Sequence, residues 1–506
     1  MCKVLLIAPS FSGQSFWNFQ ATCEVYGARF PAAPLGLITV AALLPSSWQC
    51  RLVNRNTEDL LESDLDWADL VMTGGMLPQQ PDTLRVIGLT HARRKPVVVG
   101  GPDVTSSPEA YEAADFRVLG EAEGVIDAFI RAWNSGVRQG VFEAERFTID
   151  VTNTPIPRFD LLERGQYAYY GVQFARGCPF NCEFCDIIEL YGRVPRVKAV
   201  EQMLAELETL YGIGYRGHLD FVDDNFIGNK KAVKAFLPHL IAWQKKRGYP
   251  FEFSTEASIN IADDDALLAL MREANFFTIF VGIESPDTDT LVSMQKKQNT
   301  RRMLADCVHK VYQAGMFVNA GFIVGFDSEK GAVAEAMIEC IEATSIPFCT
   351  IGLLYALPTT QLTRRLAREG RLFPLDYTMR RDAEEGVGEQ PLQSRPIHRR
   401  AGEPAVIITR GKANPAFVAL TGDEGLAGFA LRLQRIELLL EPLLGGFAGV
   451  DRTSDGPVPP RPAGSSVRHA VASARTELRA RLVTPKNRGP DQCAPVIRSA
   501  ITVSDR

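Results

Sequence analysis

Three cysteines in a CxxxCxxC arrangement constrain this chain more than any other feature of its sequence. Cys178, Cys182 and Cys185 follow closely on the apolar run Tyr169 to Phe174. Three thiolates at this spacing can hold three irons of a cubic iron-sulfur cluster and leave the fourth iron open. Electron carriers close such a cluster with a fourth cysteine, but the next cysteine is Cys307. The pattern therefore predicts a cluster that is one protein ligand short.

Two simpler interpretations of the three cysteines are a zinc site and unrelated buried thiols. A structural zinc site is closed by four Cys or His ligands, usually in two close pairs, and the sequence has no second pair. With 10 Cys in 506 residues, three would fall at these spacings by chance in about 0.4% of sequences. The iron-sulfur cluster is the favoured interpretation.

At these residues the chain resembles the radical S-adenosylmethionine (radical SAM) enzymes, whose triad has an aromatic just before its last cysteine, here Phe184. The resemblance implies a 4Fe-4S cluster whose open iron binds the amino and carboxylate groups of S-adenosylmethionine. One electron then cleaves the C–S bond and yields a 5′-deoxyadenosyl radical. An electron donor such as flavodoxin or ferredoxin is also implied. The protein's own part is orientation and the exclusion of water and oxygen.

Length and composition predict a soluble protein of two or three domains. A chain of 506 residues exceeds the size of one hydrophobic core. Its net charge of -5 gives no case for nucleic-acid binding. We find no apolar run of 18 residues for a membrane span and no signal peptide in residues 1–10. The cysteines then favour a reducing compartment, and we expect a cytoplasmic protein.

Residues 1–140 are predicted to form a first α/β domain. Short apolar runs alternate with helical stretches, which indicates a doubly wound, Rossmann-like parallel sheet. The expected strands are Lys3–Ala8, Cys50–Asn54, Leu70–Met72, Pro96–Val99 and Phe116–Leu119.

Glycines follow three of these strands, at the sheet edge where such folds bind ligands. Glycine lets the backbone approach a large or anionic ligand closely, although the same residues also suit simple tight turns. No GxGxxG follows the first strand, which argues against a dinucleotide. The candidate binding residues are Gly74, Gly75, Gly100, Gly101, Pro102, Gly120 and Glu121.

With the cysteine triad downstream, these turns resemble the cobalamin-binding domain that precedes the radical SAM domain in one large subclass. The resemblance implies that the candidate residues contact cobalamin. Domains of the methionine synthase kind place a cobalt-ligating histidine in an Asp-x-His-x-x-Gly loop. Here the corresponding stretch, Asn54 to Glu58, has no histidine, and the N-terminal region contains only His91. We therefore expect no histidine ligand to cobalt from this loop.

A connector over residues 141–168 leads to six strand-and-helix units over residues 169–375. Apolar runs that alternate with stretches of 3.6-residue period predict a parallel sheet with crossover helices. Six units match the partial (β/α)6 TIM-like barrel of radical SAM enzymes, with the cysteine loop after the first strand. The expected strands are Tyr170–Phe174, His218–Val222, Phe251–Thr255, Thr278–Gly282, Phe317–Val324 and Thr350–Tyr355.

Polar residues collect at the ends of these strands, where a barrel of this kind keeps its chemistry. By resemblance, Asp223 and Asp224 would contact the methionyl ammonium of S-adenosylmethionine, although they also suit a simple turn cap. Glu256 and Glu284 would contact the ribose hydroxyls or the sulfonium side. We interpret the basic run 296–302 as a solvated face.

The remaining contacts to S-adenosylmethionine are also implied by resemblance. The segment that contains Gly321, Ile323 and Gly325 would pass the adenine, and Phe184 would lie beside the cofactor. Hydrogen abstraction by a radical needs no acid or base with a tuned pKa, so no catalytic side chain is assigned. Cys307 falls on an apolar helix face and is expected in the core.

Composition changes abruptly after residue 375, where the resemblance ends. Residues 381–506 contain no Trp or Tyr, and they have sixteen Arg against two Lys. A helix is expected over Leu426–Leu444 and a disordered linker over Asp451–Ser466. The region 376–506 is interpreted as partly disordered, and as either a divergent appendage or the product of a shifted reading frame.

The resemblance implies a cobalamin-dependent radical SAM enzyme that methylates an unactivated carbon, similar over residues 1–375 to the group that includes the hopanoid C-methylases. In that mechanism one S-adenosylmethionine methylates cobalamin and a second yields the radical that abstracts hydrogen. The substrate radical then takes the methyl group. The substrate would be a small molecule or a lipid. The resemblance does not specify it further, because related proteins share fold and cofactor more often than substrate.

Three other functions stay open at this point. A cobalamin-containing relative could catalyse a rearrangement or cyclisation without methyl transfer. Enzymes that methylthiolate tRNA look broadly similar but carry a second three-cysteine cluster, and Cys2, Cys23 and Cys50 are too scattered to form one. A non-catalytic cobalamin or iron-sulfur sensor is the third, and cleavage of S-adenosylmethionine would distinguish it from an enzyme.

Overall fold

Two parallel β-sheets organise the protein, as shown by a computed structural model. The structure describes residues 2–11, 18–19, 23, 27–329, 333–372, 406–407 and 419–420. Up to residue 372 the described residues belong to one compact unit. The helix expected over Leu426–Leu444 and the linker expected over Asp451–Ser466 lie outside the described residues. None of the helices in the described ranges is long and apolar enough to span a bilayer.

The strands alternate with helices along most of the chain. In chain order the strands are β1 (Lys3–Ala8), β2 (Phe30–Ala32), β3 (Gln49–Asn54), β4 (Leu70–Gly74), β5 (Val97–Gly100), β6 (Phe116–Leu119), β7 (Gly140–Glu143), β8 (Tyr167–Val172), β9 (Ala175–Arg176), β10 (Arg196–Val197), β11 (Gly217–Phe221), β12 (Phe251–Glu256), β13 (Phe276–Glu284), β14 (Phe317–Val324), β15 (Phe348–Leu353), β16 (Val406–Ile407) and β17 (Ala419–Leu420). The helices are α1 (Leu35–Leu43), α2 (Glu62–Trp67), α3 (Gln80–Ala92), α4 (Pro102–Ser106), α5 (Ile126–Asn134), α6 (Ile187–Leu190), α7 (Val200–Gly212), α8 (Lys230–Lys246), α9 (Asp265–Glu273), α10 (Thr288–Ser293), α11 (Leu304–Gln313), α12 (Val333–Thr344) and α13 (Gln361–Arg368).

The first sheet has the spatial order β3-β1-β4-β5-β6-β7, and its strands run parallel. Strand order reverses at β1, as in a doubly wound fold, and the interior of β1 is fully buried because helices cover both faces. All five strands expected in this region form. The sequence reasoning missed β7, an edge strand of four residues whose side chains are exposed or half-buried.

The second sheet has the order β15-β14-β13-β12-β11-β8-β2 and forms an open, partial barrel of parallel strands. The six strands expected from the repeats all form, which confirms the predicted fold class. A seventh strand, β2, comes from the N-terminal region and pairs with β8 through Phe30 opposite Tyr167 and Ala32 opposite Tyr169. Its three residues include Pro31, so the strand carries almost no sequence signal.

Helix α8 illustrates how the local sequence sets one of the covering helices. It begins after Asn229, whose side-chain oxygen accepts a hydrogen bond from the N–H of Ala232, and it ends in Lys245 and Lys246, which favour the negative end of a helix. Its apolar residues recur at helical spacing and are buried against the sheet, among them Phe236. The helix therefore closes the outer layer of the barrel.

Aromatic side chains fill the barrel core beneath the strand ends. Phe221 lies with its ring centre 5.2 Å from that of Phe226 and 5.3 Å from that of Phe253. Phe276 lies 5.3 Å from both Phe226 and Phe253. All four side chains are buried, and contacts of this kind add to the free energy of apolar burial. This packed layer gives the polar residues at the strand ends a rigid base.

Candidate functional site

The cysteine loop is closed at its base by a short antiparallel pair, β9 with β10. Within the loop, the N–H of Cys178 donates to the carbonyl of Gly192 at 3.2 Å. Gly177 has φ +99°, and a Cβ there would lie 3.0 to 3.2 Å from the carbonyl oxygens of residues 191, 192 and 194. Only glycine fits this crossing without strain. The backbone thus holds the loop in one shape immediately before the first cysteine.

Asp223 and Asp224 hold the chain that enters the cysteine loop. Asp223 accepts hydrogen bonds from the backbone N–H groups of Phe174, at 3.0 Å, and Ala175. Asp224 accepts from the N–H of Gly177 at 2.7 Å. Burial raises the pKa of Asp223 to about 8 and that of Asp224 to about 6. Both aspartates therefore hold the backbone that leads into the cysteine loop. Their expected contact with the ammonium of S-adenosylmethionine stays a prediction.

The three thiols are free, and two of them have amide donors beside them. Asn225 Nδ2 donates to Cys178 Sγ at 3.8 Å, and Gln298 Nε2 donates to Cys182 Sγ at 3.6 Å. Burial raises the pKa of Cys185, and the neighbouring acidic groups, Asp186 and the other two thiols, raise it further. Bonds to iron would remove this repulsion between neighbouring thiolates. The donor set therefore fits an iron-sulfur cluster.

A single metal ion fits these residues less well than a cluster. Within the described ranges, no three His, Cys, Asp or Glu side chains converge closely enough to hold one ion. A tetrahedral zinc site requires such convergence. A cubic cluster does not, because each thiolate binds a different iron.

Lys296 and Glu284 form a buried ion pair beside the cysteine loop. Lys296 Nζ lies 2.5 Å from Glu284 Oε1, and about one tenth of each side chain is exposed. The ammonium also lies 5.9 Å from the ring centre of Phe184. Glu284 has φ +67°, a left-handed conformation that non-glycine residues rarely adopt. The pair places a cation and a carboxylate close to the aromatic residue that precedes the third cysteine.

The interpretation of residues 296–302 as a solvated face is wrong for Lys296, which is buried. The segment folds back after α10, and Asn299 Nδ2 donates to the carbonyls of residues 282 and 283, each at 3.1 Å. Gln298 reaches Cys182 in the same way. Lys297 and Arg301 are exposed, as expected. The sequence alone does not indicate which of the adjacent residues Lys296 and Lys297 is buried.

A buried ion-pair network joins the first sheet to the cysteine loop. Arg176 of β9 lies 3.0 Å from Glu121 and 2.7 Å from Glu123, and Arg196 of β10 lies 2.7 Å from the second oxygen of Glu121. Between 5% and 15% of each side chain is exposed. Both carboxylate oxygens of Glu121 are thus already bound to arginines, and its predicted contact with cobalamin stays a prediction.

A cavity of about 620 Å³ lies between the two sheets. Gly74 and Gly100 meet at its floor so closely that a Cβ on Gly74 would lie 2.0 Å from the carbonyl oxygen of Gly100. Gly101 has φ +99°, which glycine adopts without strain. This cradle of bare backbone fits a large flat ligand such as cobalamin. The residues predicted to contact cobalamin all line the cavity, namely Gly74, Gly75, Gly100, Gly101, Pro102, Gly120 and Glu121.

No histidine is among the described residues that line this cavity. The loop after β3 contributes Asn54 and Asn56 instead, and Asn56 Nδ2 donates to the carbonyl of Pro9 at 3.0 Å. His91 lies on α3 and contacts Asp115 at 2.9 Å. The expectation that the loop supplies no histidine to cobalt stays a prediction.

The barrel side of the same cavity has a polar group that the sequence reasoning found only in part. Tyr169, Asp220 and Glu256 line the cavity there. Ser254 donates to Asp220, and its hydroxyl lies 2.6 Å from His218 Nε2. Burial raises the pKa of Asp220 to about 6 and lowers that of His218 to about 4. Neither residue was a candidate, because each is preceded or followed by apolar strand residues that suggest a core position.

Glu256 presents an unused oxygen to this group. Burial, with a further contribution from Asp220, holds the pKa of Glu256 well above its usual range. Its Oε2 atom has no hydrogen-bond partner in the described part of the protein. The cavity therefore offers an unpaired carboxyl oxygen to a polar group of a bound molecule at the barrel end.

Replacing Asp220 with asparagine is expected to change how stability depends on pH. The raised pKa means that the folded protein binds the proton of Asp220 more tightly than the unfolded chain does. This stabilisation is complete below pH 4 and is lost as pH rises through 6. Asp220→Asn should therefore be more stable than the wild type at pH 7.5. Its free energy of unfolding should be higher by about 1 kcal/mol after allowance for partial exposure, and this difference should vanish near pH 4. Thermal unfolding at the two pH values measures this, and an equal difference at both would contradict it.

Comparison with known proteins agrees with both parts of the site. Residues 172–341 match the model of the radical SAM superfamily. Residues 27–130 match the model of the B12 binding domain. The first stretch contains the cysteine loop and most of the partial barrel, and the second contains the glycine turns of the first sheet.

Similar proteins of known sequence include two methyltransferases. An uncharacterised methyltransferase of Synechocystis sp. is 47% identical over 372 residues, which cover 73% of this chain and 69% of the relative. The hopanoid C-2 methylase of Rhodopseudomonas palustris is 40% identical over 377 residues, which cover 73% of this chain and 71% of that enzyme. Both matches exceed two thirds of the relative's own length.

Among solved structures, the fold is similar to that of the radical S-adenosylmethionine methyltransferase TsrM from Kitasatospora setae, which contains cobalamin and a [4Fe-4S] cluster. The TM-score is 0.62 at 15% identity, with 94% of this chain and 99% of that chain covered. The cofactors of the present protein are a 4Fe-4S cluster, S-adenosylmethionine and cobalamin, and its reaction is the methylation of an unactivated carbon. The chain belongs to the cobalamin-dependent radical SAM C-methyltransferases, the family that includes hopanoid C-2 methylase.

Proposed function

We propose that the protein methylates a carbon of a lipid or another largely apolar molecule inside the cavity between its two sheets. The observation that supports this most directly is the lining of that cavity. Its first-sheet side has the glycine cradle, and its barrel side has Tyr169, Asp220 and Glu256. A single space is therefore accessible both to a cobalamin on the first sheet and to a substrate at the barrel mouth.

Cys178, Cys182 and Cys185 would hold the cluster, and the glycine turns would hold cobalamin. When bound, the cluster and S-adenosylmethionine supply the radical that takes a hydrogen atom from the substrate, and cobalamin supplies the methyl group. The protein's own residues orient these groups. Asp223 and Asp224 fix the entry to the cysteine loop through backbone hydrogen bonds, so that the thiols keep one arrangement.

We assign the S-adenosylmethionine site to Phe184 of the cysteine loop and to residues around the ends of β11, β12, β13 and β14. Gly325 has φ +108°, and its N–H donates to Glu329 at 2.9 Å. A Cβ on Gly321 would lie 2.9 Å from the Phe280 ring, which leaves room only for glycine. Gly325 directly follows the last residue of β14, at the strand end where a barrel of this kind binds its ligands. The proposed contacts are those of Phe184, Asp223, Asp224, Glu256, Glu284, Gly321, Ile323 and Gly325.

An apolar acceptor agrees with the rest of the cavity wall. Apolar side chains from the first sheet, from β2, from α1 and α5 and from the N-terminal segment line most of it, among them Phe11, Phe30, Leu35, Met72 and Ile126. Burial of an apolar substrate there would displace water favourably. Because the hopanoid C-2 methylase is 40% identical, a hopanoid is the first acceptor to test. We further propose that the enzyme works in the reducing cytoplasm, where thiolate ligands stay available.

An anaerobic assay tests this function. The cluster-reconstituted, cobalamin-loaded protein is incubated with S-adenosylmethionine, dithionite and a hopanoid, and the products are measured by mass spectrometry. We expect 5′-deoxyadenosine, S-adenosylhomocysteine and a methylated hopanoid. The methylated hopanoid should be heavier than the added hopanoid by one CH₂ group, about 14 mass units. Without cobalamin, 5′-deoxyadenosine should still form, but S-adenosylhomocysteine and the methylated hopanoid should not. Formation of 5′-deoxyadenosine alone in the loaded enzyme would contradict methyl transfer.

A further inference from the structure

A cleft of about 460 Å³ lies beside the cysteine loop and shares no lining residue with the cavity between the two sheets. One wall is formed by residues 179–181, which lie between the first two cysteines. The opposite wall is formed by Gln298 and its neighbours in the segment that folds back after α10. Gln298 Nε2 lies 3.6 Å from Cys182 Sγ. One side chain therefore separates this cleft from a cluster ligand.

The cleft has a strong positive charge. Its lining includes Arg193, Lys297, Arg301 and Arg302, and no Asp or Glu is among the described residues that line it. Arg302 pairs with Asp263. The other three cations are exposed and form no ion pair within the part of the chain that the structure describes. The unbalanced charge is notable because the whole chain has a net charge of -5.

Two exposed apolar side chains adjoin these cations. Val194 follows Arg193 and is 76% exposed, and Met303 follows Arg302 and is 73% exposed. They are the most exposed large apolar residues in the described ranges. Apolar contacts within a charged rim are typical of surfaces that bind another protein.

We propose that this basic cleft is the docking site of a small acidic electron-transfer protein that reduces the cluster. The proposal rests on the proposed function and names a partner for it. One electron leaves the reduced flavin or iron-sulfur centre of the donor, enters beside Cys182, and is consumed when the C–S bond of S-adenosylmethionine breaks to give methionine and the 5′-deoxyadenosyl radical. Complementary charge would bring the donor to the surface where the path to the cluster is short.

Charge reversal at two positions tests the proposal. Lys297→Glu combined with Arg301→Glu changes two exposed side chains that form no side-chain hydrogen bond or ion pair in the described structure. Arg85→Glu combined with Lys246→Glu is the matched control, since both residues are also exposed and lie on α3 and α8. Formation of 5′-deoxyadenosine is measured with reduced flavodoxin at subsaturating concentration and, separately, with dithionite.

We expect the flavodoxin-driven rate of the Lys297→Glu, Arg301→Glu variant to be about tenfold lower than that of the wild type at low salt. Its dithionite-driven rate should be unchanged. The control variant should keep both rates, and added salt should slow only the flavodoxin reaction of the wild type. A flavodoxin-driven rate equal to that of the wild type would overturn the proposal. Loss of the dithionite rate as well would also overturn it, because the damage would then lie at the cluster and not in docking.

Calorimetric titration of flavodoxin into the cluster-loaded protein separates docking from chemistry. Weaker binding by the Lys297 and Arg301 variant than by the control supports the docking site, even if the wild type forms no 5′-deoxyadenosine and the proposed function fails. Equal binding by both variants contradicts the docking site, whatever the activity of the enzyme.

Discussion

Replacing Cys185 with serine is expected to lower the formation of 5′-deoxyadenosine by at least about a thousandfold. The cysteine loop supplies three thiols, and no fourth cysteine follows before Cys307. A lost ligand therefore has no replacement nearby. Serine is close to cysteine in size, and the backbone N–H groups of residues 177 and 178 still donate to the Asp224 carboxylate and the Gly192 carbonyl, so the fold should persist. Iron content and the spectrum of the reduced cluster, measured with product formation, report the loss directly.

Cys307→Ser is the matched control for that experiment. Cys307 lies on α11, is 6% exposed and belongs to the barrel core. Serine there buries a hydroxyl in apolar surroundings, which costs about 1 to 3 kcal/mol of stability, but leaves the cysteine loop unchanged. Its iron content and 5′-deoxyadenosine formation should stay within about twofold of the wild type. A loss of cluster in this variant equal to that in Cys185→Ser would contradict the ligand assignment.

Replacing Arg176 with methionine should destabilise the protein by about 3 to 5 kcal/mol, the usual result of removing one partner from a buried ion pair. Arg176 lies between Glu121 and Glu123, and 12% of its side chain is exposed. Methionine keeps much of the length of the side chain but leaves two buried carboxylates without this cation. Because Arg176 lies two residues before Cys178, the variant should also hold iron less well. Thermal unfolding under anaerobic conditions measures the first effect, and iron analysis the second.

Two further variants distinguish this effect from a general loss of charge. Arg158→Met breaks an ion pair with Asp160 that is largely exposed, at 40% and 56% of the two side chains, and should change stability by less than about 1 kcal/mol. Adding Glu123→Gln to Arg176→Met removes one unpaired carboxylate and should restore part of the stability. Equal effects of Arg176→Met and Arg158→Met would show that the network has no special role.

Most of the sheet architecture could be predicted because its signals are local. Buried parallel strands such as β1 and β14 are short apolar runs, and the intervening helices repeat at 3.6 residues. The cysteine triad could be recognised for a related reason, since its three ligands lie within eight residues of one another. The glycine turns after β4, β5 and β6 were visible in the same way, because each follows its strand directly.

Contacts between distant residues could not be predicted from the sequence. Arg176 and Glu121 are 55 residues apart, and nothing in either neighbourhood indicates the other. Lys296 turns inward only because Glu284, on another element, offers a carboxylate at 2.5 Å. The sequence around Asp220 and His218 is typical of an ordinary strand. The two side chains form a polar group only through their hydrogen bonds with Ser254 of the adjacent strand. In each case the deciding partner is supplied by tertiary packing.

The pairing of β2 with β8 has a consequence for how this protein can be divided. Residues 30–32 lie between β1 and β3 along the chain, yet they complete the edge of the second sheet. A cut at any point between β7 and β8 would remove β2 from the second sheet and leave β8 as an unprotected edge of that sheet, which invites association with other chains. The two halves are therefore interlocked parts and not exchangeable modules, and fusion or domain-swap variants of this enzyme must carry both together.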